Sequence, residues 1–148
     1  MRLEDRVWAW SNSTEIYVKE SVAKVEKYLS ELTDAPWYLP KKKAENPSVW
    51  DYLLDMDDTP DLEQELAYWY HYFIVMLIWM LEMGRVYIIT EVSMIAPHMA
   101  MPREGHLEAV LNALAFIHQK YNYRFSFDPT YPTINMSEFK ECNRKAFY

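Results

Sequence analysis

Cysteine is all but absent from this chain: Cys142 is the single thiol in 148 residues. That excludes an internal disulfide framework and fits a reducing compartment, so the cytoplasm or nucleus is the expected location. Positive charge is also scarce, with 15 Lys and Arg against 22 Asp and Glu, a formal charge of −7 and a pI near 5.1. Affinity for nucleic acid comes mainly from cations that displace counterions from phosphates. This balance therefore argues against the chain holding nucleic acid alone, and the one basic run, Lys41-Lys42-Lys43, reads as a solvated loop. The N-terminal residues Met1 to Arg6 carry acids and lack the apolar stretch of a secretory signal. The longest apolar run, residues 67–81, is interrupted by His71 and falls short of the roughly 20 residues a bilayer-crossing helix needs. It reads as a buried core helix, and no membrane partner is expected; a membrane-associated protein using Ala67 to Leu81 ranks third among the functional readings. Internal repeats and low-complexity tracts are missing too.

What is present is apolar content of 51%, enough for one small domain, or part of one, to bury a core. Val7-Trp8-Ala9-Trp10 is a short aromatic run bounded by Ser11-Asn12-Ser13 and reads as a strand leading into a helix cap. Val18, Val22, Val25 and Leu29 then recur as one stripe of a helix. Pro36, Pro40 and Pro47 interrupt residues 33–58, an irregular Pro-containing linker. Thr59-Pro60-Asp61 supplies an N-cap, a proline at the first helical position and an acid in the first turn, so a helix is expected from there to about Met83. Gly84 can take the left-handed conformation that closes it. A second helix is expected from Val86 with Ile88, Val92 and Ile95 inward. A third opens at Pro102 with Leu107, Val110, Leu111, Leu114 and Ile117 on its inner face. Residues 123–127 are strand-like and stop at Asp128-Pro129. The expected fold is mainly α with a few short strands, an α+β arrangement. Pro97 falls inside a helical pattern, where an interior proline costs roughly 3 kcal/mol. Either that helix kinks or it ends at Ala96, and the isolated chain is expected to be marginally stable.

Residues 79–94 (Trp79-Met80-Leu81-Glu82-Met83-Gly84-Arg85 and onward), Met101-Pro102-Arg103-Glu104-Gly105-His106-Leu107-Glu108-Ala109 and Phe127-Asp128-Pro129-Thr130-Tyr131-Pro132 together carry a resemblance. So do Ser13 to Leu29 and Thr59 to Leu66. In this order they resemble the end of a copia-type retrotransposon reverse transcriptase, the thumb and connection region between the polymerase palm and ribonuclease H. The resemblance implies residues 1–32 as the end of a palm-like strand plus helix, 33–58 as linker, 59–122 as a three-helix thumb-like region, and 123–148 as a strand with a degenerate lead-in to ribonuclease H. Where this chain has His71, Tyr72, Val75, Ile78 and Tyr87, such elements typically carry Gln, Ser, Gly, Arg and Asp, a pattern of drift toward apolar residues.

For function, the resemblance implies a non-catalytic fragment that contacts primer-template only within a full polymerase. Val75 and Trp79 would lie toward the duplex minor groove, with Trp79 read equally well as a core tryptophan. Arg85 and Arg103 would be backbone or phosphate contacts, or else helix caps paired with Glu82 and Glu104. Met56-Asp57-Asp58 superficially matches a polymerase carboxylate pair, but a helix start follows it where the motif needs apolar strand. At the far end the usual Asp-Trp pair of ribonuclease H stands as Asn143-Arg144, and an amide supplies no charge to a two-metal site. His98, His106 and His118 with Glu104 and Glu108 fit no zinc spacing. No enzyme activity, metal or cofactor is therefore expected. From a different class, the chain would be a small helical interaction module, with Trp8, Trp10, Trp37, Tyr38, Trp50 and Tyr52 as its aromatic surface. Self-association is expected in either case.

Overall fold

A computed structural model describes residues 10–31, 37–41, 45–48 and 56–127. The chain divides into two compact units. One joins Met1–Ser11 to Ser126–Tyr148, and only residues 10–11 and 126–127 of it are described; the other, Asn12–Phe125, holds every helix found among the described residues. In chain order the elements are β1 (Trp10–Asn12), α1 (Glu15–Glu31), α2 (Gln64–Glu82), α3 (Ile89–Ile95), α4 (Glu104–Gln119) and β2 (Phe125–Phe127). Single 3₁₀ turns, Val86–Ile88 and Ala96–Ala100, flank α3. The fold is thus essentially all α, which corrects the α+β expectation. Strands among the described residues are confined to two three-residue segments that pair with each other. Among these residues no sheet layer backs the helices, so helix–helix packing builds most of the core.

Each helix turns its apolar stripe inward as the periodicity predicts. Val18, Val22, Val25 and Leu29 of α1 are buried, as are Tyr70, Phe73, Ile74, Leu77 and Met80 of α2 and Ile88, Val92 and Ile95 of the α3 segment. Helix α4 is different: ten of its residues are buried, among them Ala109, Ala113 and Ala115 on faces where the stripe alone would leave solvent. α4 is packed on by α1, α2 and α3, so most of its circumference is covered and only Glu104, Glu108, His118 and Gln119 are exposed. Its alanines let those neighbours approach, and each larger side chain it buries contributes about 1.5–3 kcal/mol.

Of the helix boundaries, one departs from the sequence reading and another resolves an alternative that it left open. The first is the start of α2, which lies at Gln64 rather than Thr59. Thr59, Pro60 and Asp61 instead run antiparallel to Arg103. Leu62 N–H donates to the Pro102 carbonyl and Glu104 N–H to the Pro60 carbonyl, each at 3.0 Å. The Thr59 hydroxyl accepts the Gly105 N–H at 3.0 Å. Thr59 is a helix cap, but the helix it caps is α4, whose first N–H groups have no partner within the helix itself. The second boundary is at Pro97. α3 ends at Ile95 with Ala96 as its C-cap, and Pro97 sits in the first positions of the following 3₁₀ turn. There its missing N–H costs no helical bond, so the expected interior-proline penalty does not arise.

Within the linker, the described residues are attached to the helices. Leu39 is buried in the core, and the Asn112 side-chain amide donates to the carbonyls of Asn46, at 3.3 Å, and Pro47, at 2.7 Å. The Ser48 hydroxyl donates to the buried Glu91 carboxylate. At the other end of α2, Gly84 has φ 107°, the left-handed conformation a β-carbon disfavours, and it releases the chain into the turn that carries Arg85.

Candidate functional site

The face of α2 opposite the core is apolar as well. Tyr68, Tyr72, Val75 and Trp79 follow at helical spacing and are 65%, 36%, 47% and 58% exposed. A 19-residue helix of sequence QELAYWYHYFIVMLIWMLE contains no lysine or arginine, and its acids Glu65 and Glu82 stand at its two ends. The outer face is thus largely aromatic and carries no lysine or arginine, with the exposed His71 beside the row and its Nε2 at 2.5 Å from the Met99 carbonyl oxygen. Trp69 links it to the interior: its ring stacks on Tyr28 of α1 at 3.8 Å and meets Tyr68 and Tyr72 edge-on at 5.7 and 5.4 Å. These contacts hold the rim of the exposed strip on a fixed base, since aromatic pairs in this geometry each contribute about 0.5–1.5 kcal/mol beyond area burial.

Val75 and Trp79 therefore lie side by side, one turn apart, and Trp79 is a surface residue rather than a core one. The arginines grouped with them stand elsewhere. α2 rises about 1.5 Å per residue, so its ends are roughly 28 Å apart, with Arg85 beyond one and Arg103 beside the other. Arg85 is 2% exposed. Its Nε–H donates to the Thr14 hydroxyl (2.6 Å), Nη1 to the Tyr87 hydroxyl (3.3 Å) and the Lys120 carbonyl (3.1 Å), and Nη2 to the Tyr121 carbonyl (2.6 Å). It joins the start of α1, the end of α2 and the end of α4. Arg103 donates from Nη1 to the Asp57 carbonyl at 2.5 Å and sits 3.3 Å from the Asp61 carboxylate. Neither arginine is paired with Glu82 or Glu104 among the described residues.

The Met56-Asp57-Asp58 segment lies in the turn ahead of α2. One Asp57 carboxylate oxygen accepts the Thr59 N–H at 2.9 Å, and the other stands 3.6 Å from Nε2 of His106. Nδ1 of His106 in turn accepts the Arg103 N–H at 3.1 Å, which places the ring proton on Nε2, toward Asp57. His98 stacks on His106 with centroids 4.2 Å apart. Sequence spacing missed this trio because the chain brings residues from three segments together. The arrangement pins a turn, and no group of three His, Cys, Asp or Glu side chains able to hold a metal occurs among the described residues. His118 is exposed on α4.

Of the aromatic surface drawn from sequence, Trp37 is half-buried against the core and Tyr38 is 70% exposed. Trp8, Trp50 and Tyr52 lie outside the described residues, as do Lys42, Lys43, Cys142, Asn143 and Arg144. The stripe on α2 was legible as a second helical period within residues 67–81, hidden only because the whole run is apolar. No helix among the described residues is long and apolar enough to cross a membrane. No family model, curated protein or solved structure matches the chain.

Proposed function

We propose that this chain is a small, non-catalytic helical interaction module that receives the apolar stripe of a partner helix along the outer face of α2. The observation that carries this reading is the row Tyr68, Tyr72, Val75 and Trp79, solvent-facing on a helix whose other side is the core. Helix-in-groove recognition uses anchors at this spacing, and Trp and Tyr are the side chains that most often dominate interfaces. The test is a photo-crosslinking side chain placed at Val75 in cells, with one at the exposed Glu26 of α1 as reference. A protein adduct at Val75 and not at Glu26, lost when Trp79→Glu is added, is the expected result. An adduct at twice the 17.8 kDa chain mass would identify a second copy as the partner. Crosslinking equal at both positions, or absent at both, would overturn the reading.

A second reading follows from the same residues. In a reverse-transcriptase thumb the row would face primer-template, and the adjacency of Val75 and Trp79 on an open face favours it. The electrostatics do not, since affinity for phosphates comes mainly from lysine and arginine and α2 has neither. Retention of a short RNA–DNA duplex by the full chain, weakening steeply with salt, would move this reading to first place.

A further inference from the structure

We propose that the cleft beside Arg85 binds a small organic anion carrying one planar ring, of which an aromatic carboxylate is the simplest case. The cleft has a volume of about 370 Å³ and is lined by Thr14, Met83, Gly84, Arg85, Tyr87, Asn122, Tyr123 and Arg124. This is the lower end of the range for small-molecule sites, roughly 300–1,000 Å³, and it lies apart from the α2 row assigned to partner docking.

The first observation is electrostatic. Buried charges are ordinarily paired with an opposite charge, yet among the described residues every hydrogen-bond partner of the buried Arg85 guanidinium is neutral: two hydroxyls and two backbone carbonyls. A guanidinium carries five N–H bonds. These four contacts leave one N–H on Nη2 without a protein acceptor among the described residues. The neighbouring carboxylate, Glu15, is held by Lys19 at 2.6 Å, and that hydrogen bond is the leading cause of its lowered pKa, Arg124 and Arg85 adding smaller through-space contributions. Arg124 is exposed at the lining, and the Lys120 ammonium lies 5.2 Å from the Tyr123 ring centre. Among the described residues, Arg85, Lys120 and Arg124 thus outnumber the one neighbouring carboxylate, Glu15, which Lys19 already holds.

The second observation is shape. Tyr87 and Tyr123 meet edge to face with centroids 6.0 Å apart, giving the cleft an aromatic wall. Gly84, at φ 107°, leaves the lining without a side chain at that position. A ring seated on the tyrosines would bring its carboxylate toward the free guanidinium N–H, the Tyr87 hydroxyl and Arg124, all donors suited to a carboxylate.

The test is titration of the full-length, isotope-labelled chain with benzoate at constant ionic strength, reading the amide shifts of Gly84, Asn122 and Tyr123. Saturable shifts at these amides are expected. Benzamide, which has the ring without the charge, and acetate, which has the charge without the ring, are each expected to bind at least about tenfold more weakly. Arg124→Gln, a substitution outside every helix, should weaken benzoate about fivefold while leaving the remaining amide spectrum in place. Absent shifts at the three amides, equal affinity for benzoate and either comparator, or unchanged benzoate affinity in Arg124→Gln would overturn the proposal. Because none of these readouts involves Val75 or Trp79, the cleft and the α2 face succeed or fail separately.

Discussion

The two ends of α2 are each fastened by an arginine, in opposite chemical styles. At the start, Arg103 lies against a carboxylate and a carbonyl on a partly exposed surface, beside the Asp57–His106 pair. At the finish, Arg85 is buried and, among the described residues, held by neutral oxygens. The first arrangement cancels its own charge and serves as a tie. The second leaves a cation facing a cleft, so its field is available to something else. An arginine's burial alone therefore says little about its role; the sign of its neighbours decides whether it is consumed by the fold or left addressable.

The sharpest way to break this comparison is to remove each arginine. Arg85→Ala removes four hydrogen bonds and leaves the buried Thr14 hydroxyl and the part-buried Tyr121 carbonyl without this donor, while the Lys120 carbonyl keeps the Tyr123 N–H; each unsatisfied buried group costs about 1–3 kcal/mol. Urea unfolding should show a loss of about 3 kcal/mol or more, a large part of the 5–15 kcal/mol typical of a domain. Arg103→Ala removes a solvent-screened ion pair and one hydrogen bond and should cost about 1 kcal/mol. Equal losses would mean that the two ends are fastened alike.

A finer contrast lies in two tyrosines, one half-buried and one buried. Tyr87, at the Arg85 end, has its hydroxyl supplied with a donor, and burial raises its pKa while Arg85 opposes the rise. Tyr28, packed on Trp69 nearer the Arg103 end, has a buried hydroxyl with no partner, and burial, aided by the charge of Glu65, pushes its pKa up to about 12 from an ordinary value of 10.0. A neutral form favoured by folding gives stability that is whole below the unfolded pKa and is lost as pH rises through the folded one. Stability should therefore decline from pH 10 toward pH 12. In Tyr28→Phe that decline should be shallower, with stability at pH 7 unchanged or slightly higher, as read from unfolding midpoints across that pH range. An unaltered alkaline decline would assign it to other groups, Tyr70 first, whose pKa burial also raises.

The smallest expected effect concerns Pro97, in the 3₁₀ turn that packs along α2 between the two ends. Because the turn accommodates proline, Pro97→Ser should shift stability by less than about 0.5 kcal/mol. A clear gain in thermal midpoint would show strain in the turn and restore the marginal stability expected from sequence.

Much of the helical core was legible because periodicity is a local property: Val18 to Leu29, Ile88 to Ile95 and Leu107 to Ile117 all face inward as their spacing requires. What escaped was set by distance along the chain. Thr59 carries a helix-cap pattern, yet its hydroxyl serves an N–H 46 residues away. Arg85 looks like a surface cation until Thr14, Lys120 and Tyr121 are brought around it. Short aromatic runs near both ends suggested a strand contribution to the fold, but a three-residue pair adds no layer to a core that α4 already fills. The candidate face was present as a second period on α2, and nothing in the sequence distinguished the period that would be covered from the one left open.

The antiparallel contact between Asp61 and Arg103 has a topological consequence. It fixes the start of α2 against the start of α4, so the chain between them is closed into a loop by backbone bonds rather than by side chains alone. The slack of that loop, whose entropy grows only slowly with length, is removed at one point. α2 and α3 are therefore coupled to α4 through connectivity as well as contact, and a partner that pulled on the outer face of α2 would load the clasp before it loaded the core.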